Sequence, residues 1–93
     1  MILLTTPVKD ATHAQIKFIQ IEDGYNKVFL VYELGKFIDD AWICVYKKEL
    51  NISGADFEAV GSYATRVSTI YLEIDRIGCQ FILDKGYEEG TLV

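Results

Sequence analysis

Side chains with special chemistry are scarce in this chain: 93 residues contain one histidine, one proline and two cysteines. His13 lies in a threonine-rich turn with no acidic residue fixed beside it, and general acid–base catalysis needs a partner to orient the ring. Cys44 and Cys79 stand in apolar contexts, with neither CxxC spacing nor a nearby histidine. That excludes a zinc site and reads as two buried, reduced thiols. Gly35, Gly54, Gly61 and Gly78 stand apart, so no glycine-rich phosphate loop forms. Asp39-Asp40 lacks the surrounding pattern of a calcium loop. No metal, cofactor or enzymatic activity is expected. No apolar run approaches the roughly 18 residues that cross a bilayer. Met1-Ile2-Leu3-Leu4 lacks the basic start and long apolar stretch of a signal peptide, so a reducing cytoplasm is the expected compartment, with no membrane partner. Positive charge is also sparse: 9 basic against 14 acidic residues leave a formal charge of -5. Lys47-Lys48 is the only adjacent basic pair, and phosphate neutralisation needs clusters, so nucleic acid is not an expected partner.

Apolar residues, by contrast, are plentiful. They make up 51% of the chain, and the mean hydropathy is +0.16, high for one small domain spanning residues 1–93. Residues 1–13 read as an irregular arm around Pro7, with Ile2, Leu3 and Leu4 packing on their own domain or gripping another subunit. Residues 14–52 read as a sheet. The first strand, 14–22, slips in its alternation at Phe18-Ile19, so either a bulge resets it or both faces are covered. Asp23-Gly24-Tyr25-Asn26 signals a hairpin turn into a second strand, 27–35. A connection through residues 37–41 leads to a third, from Trp42 to about Tyr46 or Leu50.

Residues 53–86 read as helical. Ser53 and Asp56 resemble a capping box ahead of a short helix over 55–60. A long helix is expected over 65–85, closed by Lys85 and a left-handed Gly86. Gly78 in its middle implies close approach of a strand. Residues 87–93 form a tail that adds a short strand or stays free. The expected fold is therefore α+β: a three-stranded antiparallel meander with a short helix and a long C-terminal helix on one face.

The long helix carries two apolar stripes. Val67, Ile70, Tyr71, Ile74, Ile77, Phe81 and Ile82 form the broad one; Leu72, Cys79 and Leu83 form a narrow one on roughly the opposite side. The second and third strands are also apolar on both faces, leaving Phe29, Val31, Ile43 and Val45 on the side away from the helix. These four and the narrow stripe are the candidate interface, unless the arm, short helix and tail fold over the second face. If the stripe is an interface, Leu72→Glu or Leu83→Glu breaks an assembly and leaves the fold intact.

Three stretches carry a resemblance: Ile52-Ser53-Gly54-Ala55-Asp56-Phe57-Glu58-Ala59-Val60, Ser68-Thr69-Ile70-Tyr71-Leu72-Glu73-Ile74-Asp75, and Leu83-Asp84-Lys85-Gly86-Tyr87-Glu88-Glu89-Gly90-Thr91. Together with the opening Thr5-Thr6-Pro7-Val8, they resemble a group of short, mostly uncharacterised proteins of tailed bacteriophages and prophages, whose genes often lie among structural genes. The likeness spans about half the chain, departs at residues 37–49 and is architectural, so it carries over no active residues. It implies a phage-encoded structural or assembly accessory protein of head or tail, acting by protein–protein contact. Its partners would be itself, as a homo-oligomer, and other phage proteins, in the host cytoplasm during assembly or in the virion. The alternative is a soluble phage protein that binds and inhibits a host protein such as a defence factor.

Overall fold

The computed structural model describes residues 1–22, 27–53 and 71–93, without the side chains of residues 21, 22 and 71–74. Its elements are β1 (Ile2–Val8), β2 (Ala11–Glu22), β3 (Lys27–Ile38), β4 (Ala41–Ser53), α1 (Tyr71–Asp84) and β5 (Gly90–Leu92). They form a five-stranded antiparallel sheet in the order β4-β3-β2-β1-β5, with α1 against β2. The expected three-stranded meander with a long C-terminal helix is thus incorrect. Both chain ends are strands, and the described helix has 14 residues. The expected turn at 23–26, the capping box, the short helix and the first part of the long helix lie outside the described residues.

The supposed N-terminal arm joins the sheet because Ile2 and Leu4 alternate with Leu3. The first two are buried and Leu3 is exposed, the pattern of a strand with one covered face. Pro7 is tolerated because the β1–β2 register shifts between Leu3 and Val8, where no regular ladder needs its missing donor. The tail becomes β5 by pairing with β1 from Ile2–Leu92 to Leu4–Gly90. Two hairpins close with only two residues, Lys9-Asp10 and Asp39-Asp40, all four at positive φ as a type I′ turn requires. The connection expected over 37–41 is therefore strand almost throughout, with Ile38 opposite Ala41.

The core lies between α1 and one sheet face. Ile2, Ala14, Val28, Leu30, Tyr32 and Leu34 from the sheet meet Cys79 and Ile82 from the helix. Burying each large side chain is worth roughly 1.5–3 kcal/mol. A Cβ on Gly78 would lie 2.8 Å from Ile16 Cγ1, so the mid-helix glycine does mark close approach of a strand. Gly86, at φ +76°, ends the helix. Its N–H donates to the Leu83 carbonyl and that of Tyr87 to the Ile82 carbonyl, a Schellman arrangement.

Two carboxylates tie the layers together. Asp75 accepts from the Met1 amino group and, at 2.9 Å, from the Ile16 N–H. That N–H sits beside an extra residue, Lys17, where the β2–β3 register shifts between Ile16 and Phe18. Glu88, 8% exposed, accepts from the Tyr32 hydroxyl and the Lys48 ammonium, both at 2.6 Å on Oε2. This holds the segment after the helix against β3 and β4.

Removing the Glu88 carboxylate strands the buried Tyr32 hydroxyl. Glu88→Ala is expected to cost about 1–3 kcal/mol in urea unfolding, and a loss under about 0.5 kcal/mol would show that the tie contributes nothing. Burial, then the Asp75 charge, pushes the Cys79 thiol from 9.0 to about 11, and burial, then Glu88, raises the Tyr32 phenol. Both folded-state values are raised, so the unfolded chain releases these protons first. Their contribution is complete below pH 9 and falls as pH rises toward 11, by roughly 1–3 kcal/mol. Urea midpoints at neutral pH and near pH 11 check this; equal midpoints would contradict it.

Candidate protein-contact surface

The candidate interface residues do not share one surface. Cross-strand partners face the same side, so the observed pairing assigns each residue to a face. β4 carries one extra residue, Val45, because Leu34 pairs with Tyr46 and Gly35 with Cys44. Beyond Val45 the faces exchange. Ile43, opposite Lys36, lies on the helix-covered face, whereas Phe29 and Val31 lie on the other. Val31 is fully buried, Phe29 half-buried, and Val45 half-buried against the core. Cys79 is fully buried in the core and Leu83 packs on it, so neither belongs to a second, outward stripe; a glutamate at 83 attacks the fold. The side chain of Leu72 lies outside the described residues.

Exposed apolar side chains concentrate instead at the closed end of the β3–β4 hairpin. Phe37 and Trp42 pair on one face, Ile38 and Ile43 stand on the other, and Phe37, Ile38 and Ile43 are 42–49% exposed. The hairpin end is therefore apolar on both sides and extends past the helix-covered core. It is built rather than frayed. The Trp42 ring lies over Gly35, where a Cβ would come within 2.5 Å of the indole. Trp42 Nε1–H donates to Glu33 Oε1 at 2.9 Å, which satisfies a carboxylate only 9% exposed. Phe37 meets Trp42 edge-on at 5.3 Å and His13 at 5.5 Å. His13 thus belongs to an aromatic row, opposite Gly35 and beside Leu3, which is also exposed.

Farther along that face, Phe18 packs on Phe29 at 5.7 Å and stays 43% exposed. The row was not legible as such in the sequence, because the two-residue turn and the bulge together place Phe37 beside Trp42. The signal was the Asp39-Asp40 doublet between two apolar runs. Cys44 is not the expected buried thiol: it is exposed next to Glu33, and partial desolvation followed by that carboxylate raises its thiol pKa.

Among the described residues, no group of three or more His, Cys, Asp or Glu is placed to hold a metal ion. No described helix is long and apolar enough to cross a membrane. A depression of about 570 Å³ runs beside β4, lined by Tyr32, Tyr46, Lys48, Leu50 and Tyr87 among others. Of the two lysines at its wall, Lys47 and Lys48, the second is already engaged by Glu88. No known protein family matches the chain, and comparison with curated proteins and with solved structures returned no match.

A methyl group at Gly35 has no room under the indole. Gly35→Ala is expected to cost about 1–3 kcal/mol and to shift the emission of Trp42, the one tryptophan of the chain. Unchanged stability and emission would show that the ring does not lie over the glycine.

Proposed function

We propose that this is a small phage-encoded structural or assembly accessory protein that works by protein–protein contact, with the β3–β4 hairpin end as its contact element. The observation that carries this is the hairpin end itself. Phe37, Ile38 and Ile43 stay 42–49% exposed on two faces of a segment that the Trp42–Glu33 hydrogen bond holds in place. A pre-ordered apolar element loses little entropy on docking, and each of its large side chains offers roughly 1.5–3 kcal/mol on full burial. Exposed apolar groups gathered at one place, rather than scattered singly, mark contact sites. The phage assignment rests on the resemblance in residues 52–60, 68–75 and 83–91 and on the opening Thr5-Thr6-Pro7-Val8. The acidic balance of the chain suits a protein partner better than nucleic acid.

Mass spectrometry of purified particles from the encoding phage tests the role. Detection at a fixed ratio to the major virion proteins is expected, and its absence from both particles and assembly intermediates would overturn the assignment. Phe37→Glu and Ile43→Glu are expected to leave circular dichroism and urea stability within about 1 kcal/mol of the parent while reducing incorporation at least about tenfold. Undiminished incorporation of both variants would remove the hairpin end as the contact element.

A further inference from the structure

The two edges of the sheet differ. β5 is a three-residue edge, too short to template pairing, whereas β4 is a 13-residue edge without proline. Among the described residues no strand pairs with the outer side of β4, so over residues 46–50 one row of backbone N–H and C=O groups has no described strand beside it. Such an edge invites addition of another strand unless charge, proline or a bulge prevents it. β4 has a bulge at Val45 and the charges Lys47, Lys48 and Glu49, so the question is which pairing these features allow.

We propose that two copies of this chain pair antiparallel through β4, about a two-fold axis at Lys48, to make one continuous sheet. An axis perpendicular to the sheet keeps each face on its own side, so residues of the same face must oppose each other. The axis therefore passes through a residue and not between two. Lys47 and Glu49 both lie on the face away from the helix, opposite Glu33 and Val31 of β3. An axis at Lys47 would set that lysine against itself, and an axis at Glu49 would do the same for the glutamate. An axis at Lys48 sets Lys47 against the partner's Glu49 and Glu49 against the partner's Lys47, two opposite-charge pairs by symmetry. Neither residue forms an ion pair among the described residues.

On the helix-covered face the same register sets Tyr46 against the partner's Leu50, again twice. Both residues line the depression of about 570 Å³ along this edge, and the pairing closes it. Lys48 meets its own copy at the axis, but its ammonium is turned to Glu88 at 2.6 Å, which offsets the like charge. The bulge at Val45 limits the regular stretch to the residues after it and blocks sliding. The axis at Lys48 is thus the one register of this stretch that sets unlike charges opposite each other. This deepens the proposed role by naming a second copy as one partner, and it uses a surface separate from the hairpin end, so variants of one leave the other intact.

Sedimentation equilibrium at micromolar concentration tests the pairing. The parent chain is expected to sediment as a dimer. Glu49→Lys and Lys47→Glu each place like charges opposite twice, and each is expected to weaken dimerisation about tenfold or more with unchanged circular dichroism. An equimolar mixture of the two variants restores both opposite-charge pairs and is expected to form a heterodimer; the double variant pairs with itself. If Lys47→Glu does not fold beside Glu33, Glu49→Lys is compared with Glu49→Gln, and the lysine variant dissociates more. A monomeric parent chain, single variants that dimerise like the parent, a mixture of folded variants that stays monomeric, or equal dissociation of the lysine and glutamine variants overturns the proposal.

Discussion

A strand shows successive side chains to opposite faces, so one extra residue exchanges everything beyond it. Two extra residues, Lys17 in β2 and Val45 in β4, therefore decide what this sheet buries and what it exposes. The bulge at Lys17 lets Ile16 and Ile19 both reach the core while Phe18 turns to Phe29 on the other side. The bulge at Val45 turns Trp42 toward Phe37 and Ile43 to the opposite face. Without it the hairpin end would place Trp42 on the helix side and break the aromatic row. The exposed apolar end is a consequence of register rather than of composition alone.

Polar groups then fix the layers that register has sorted. A bulge leaves a backbone N–H out of the ladder, and a buried donor without an acceptor costs free energy. Asp75 takes the Ile16 N–H beside the Lys17 bulge and so couples the helix to the point where the β2–β3 ladder is interrupted. Glu88 does the same for the chain after the helix by accepting from Tyr32 and Lys48 in two neighbouring strands. With these ties in place β5 runs beside β1, and the first and last residues come together: the Val93 N–H donates to the Met1 carbonyl at 3.0 Å. The sheet then has one blunt edge and one long one. Its long edge and its projecting hairpin both belong to the β3–β4 pair, which is where contact with other chains is proposed.

Local signals in the sequence predicted local structure well. Gly86 is left-handed, Gly78 lies against a strand, and the slip at Phe18 marks a bulge one residue away. Three strands were visible in their apolar runs, although each extends beyond its expected ends. What failed were readings that depend on distant partners. Ile2 to Leu4 looks like an arm until β5 arrives to pair with it, and Gly90 to Leu92 is too short to declare itself without β1. The narrow stripe failed for a related reason. Cys79 and Leu83 looked outward on a helical wheel, but the helix packs with Gly78 close to β2, which brings its neighbour Cys79 into the core. Of the candidate interface residues, Ile43 is exposed but lies on the helix-covered face rather than with Phe29 and Val31, because the bulge at Val45 leaves no trace in the alternation around it.

The most direct test is the register of β3 against β4, read from cross-strand Hα and amide nuclear Overhauser contacts in solution. The structure requires Leu34 opposite Tyr46, Gly35 opposite Cys44 and Phe37 opposite Trp42, with Val45 unpaired. An unbroken ladder with Gly35 opposite Val45 would contradict it and would return Ile43 and Trp42 to the faces that simple alternation assigns.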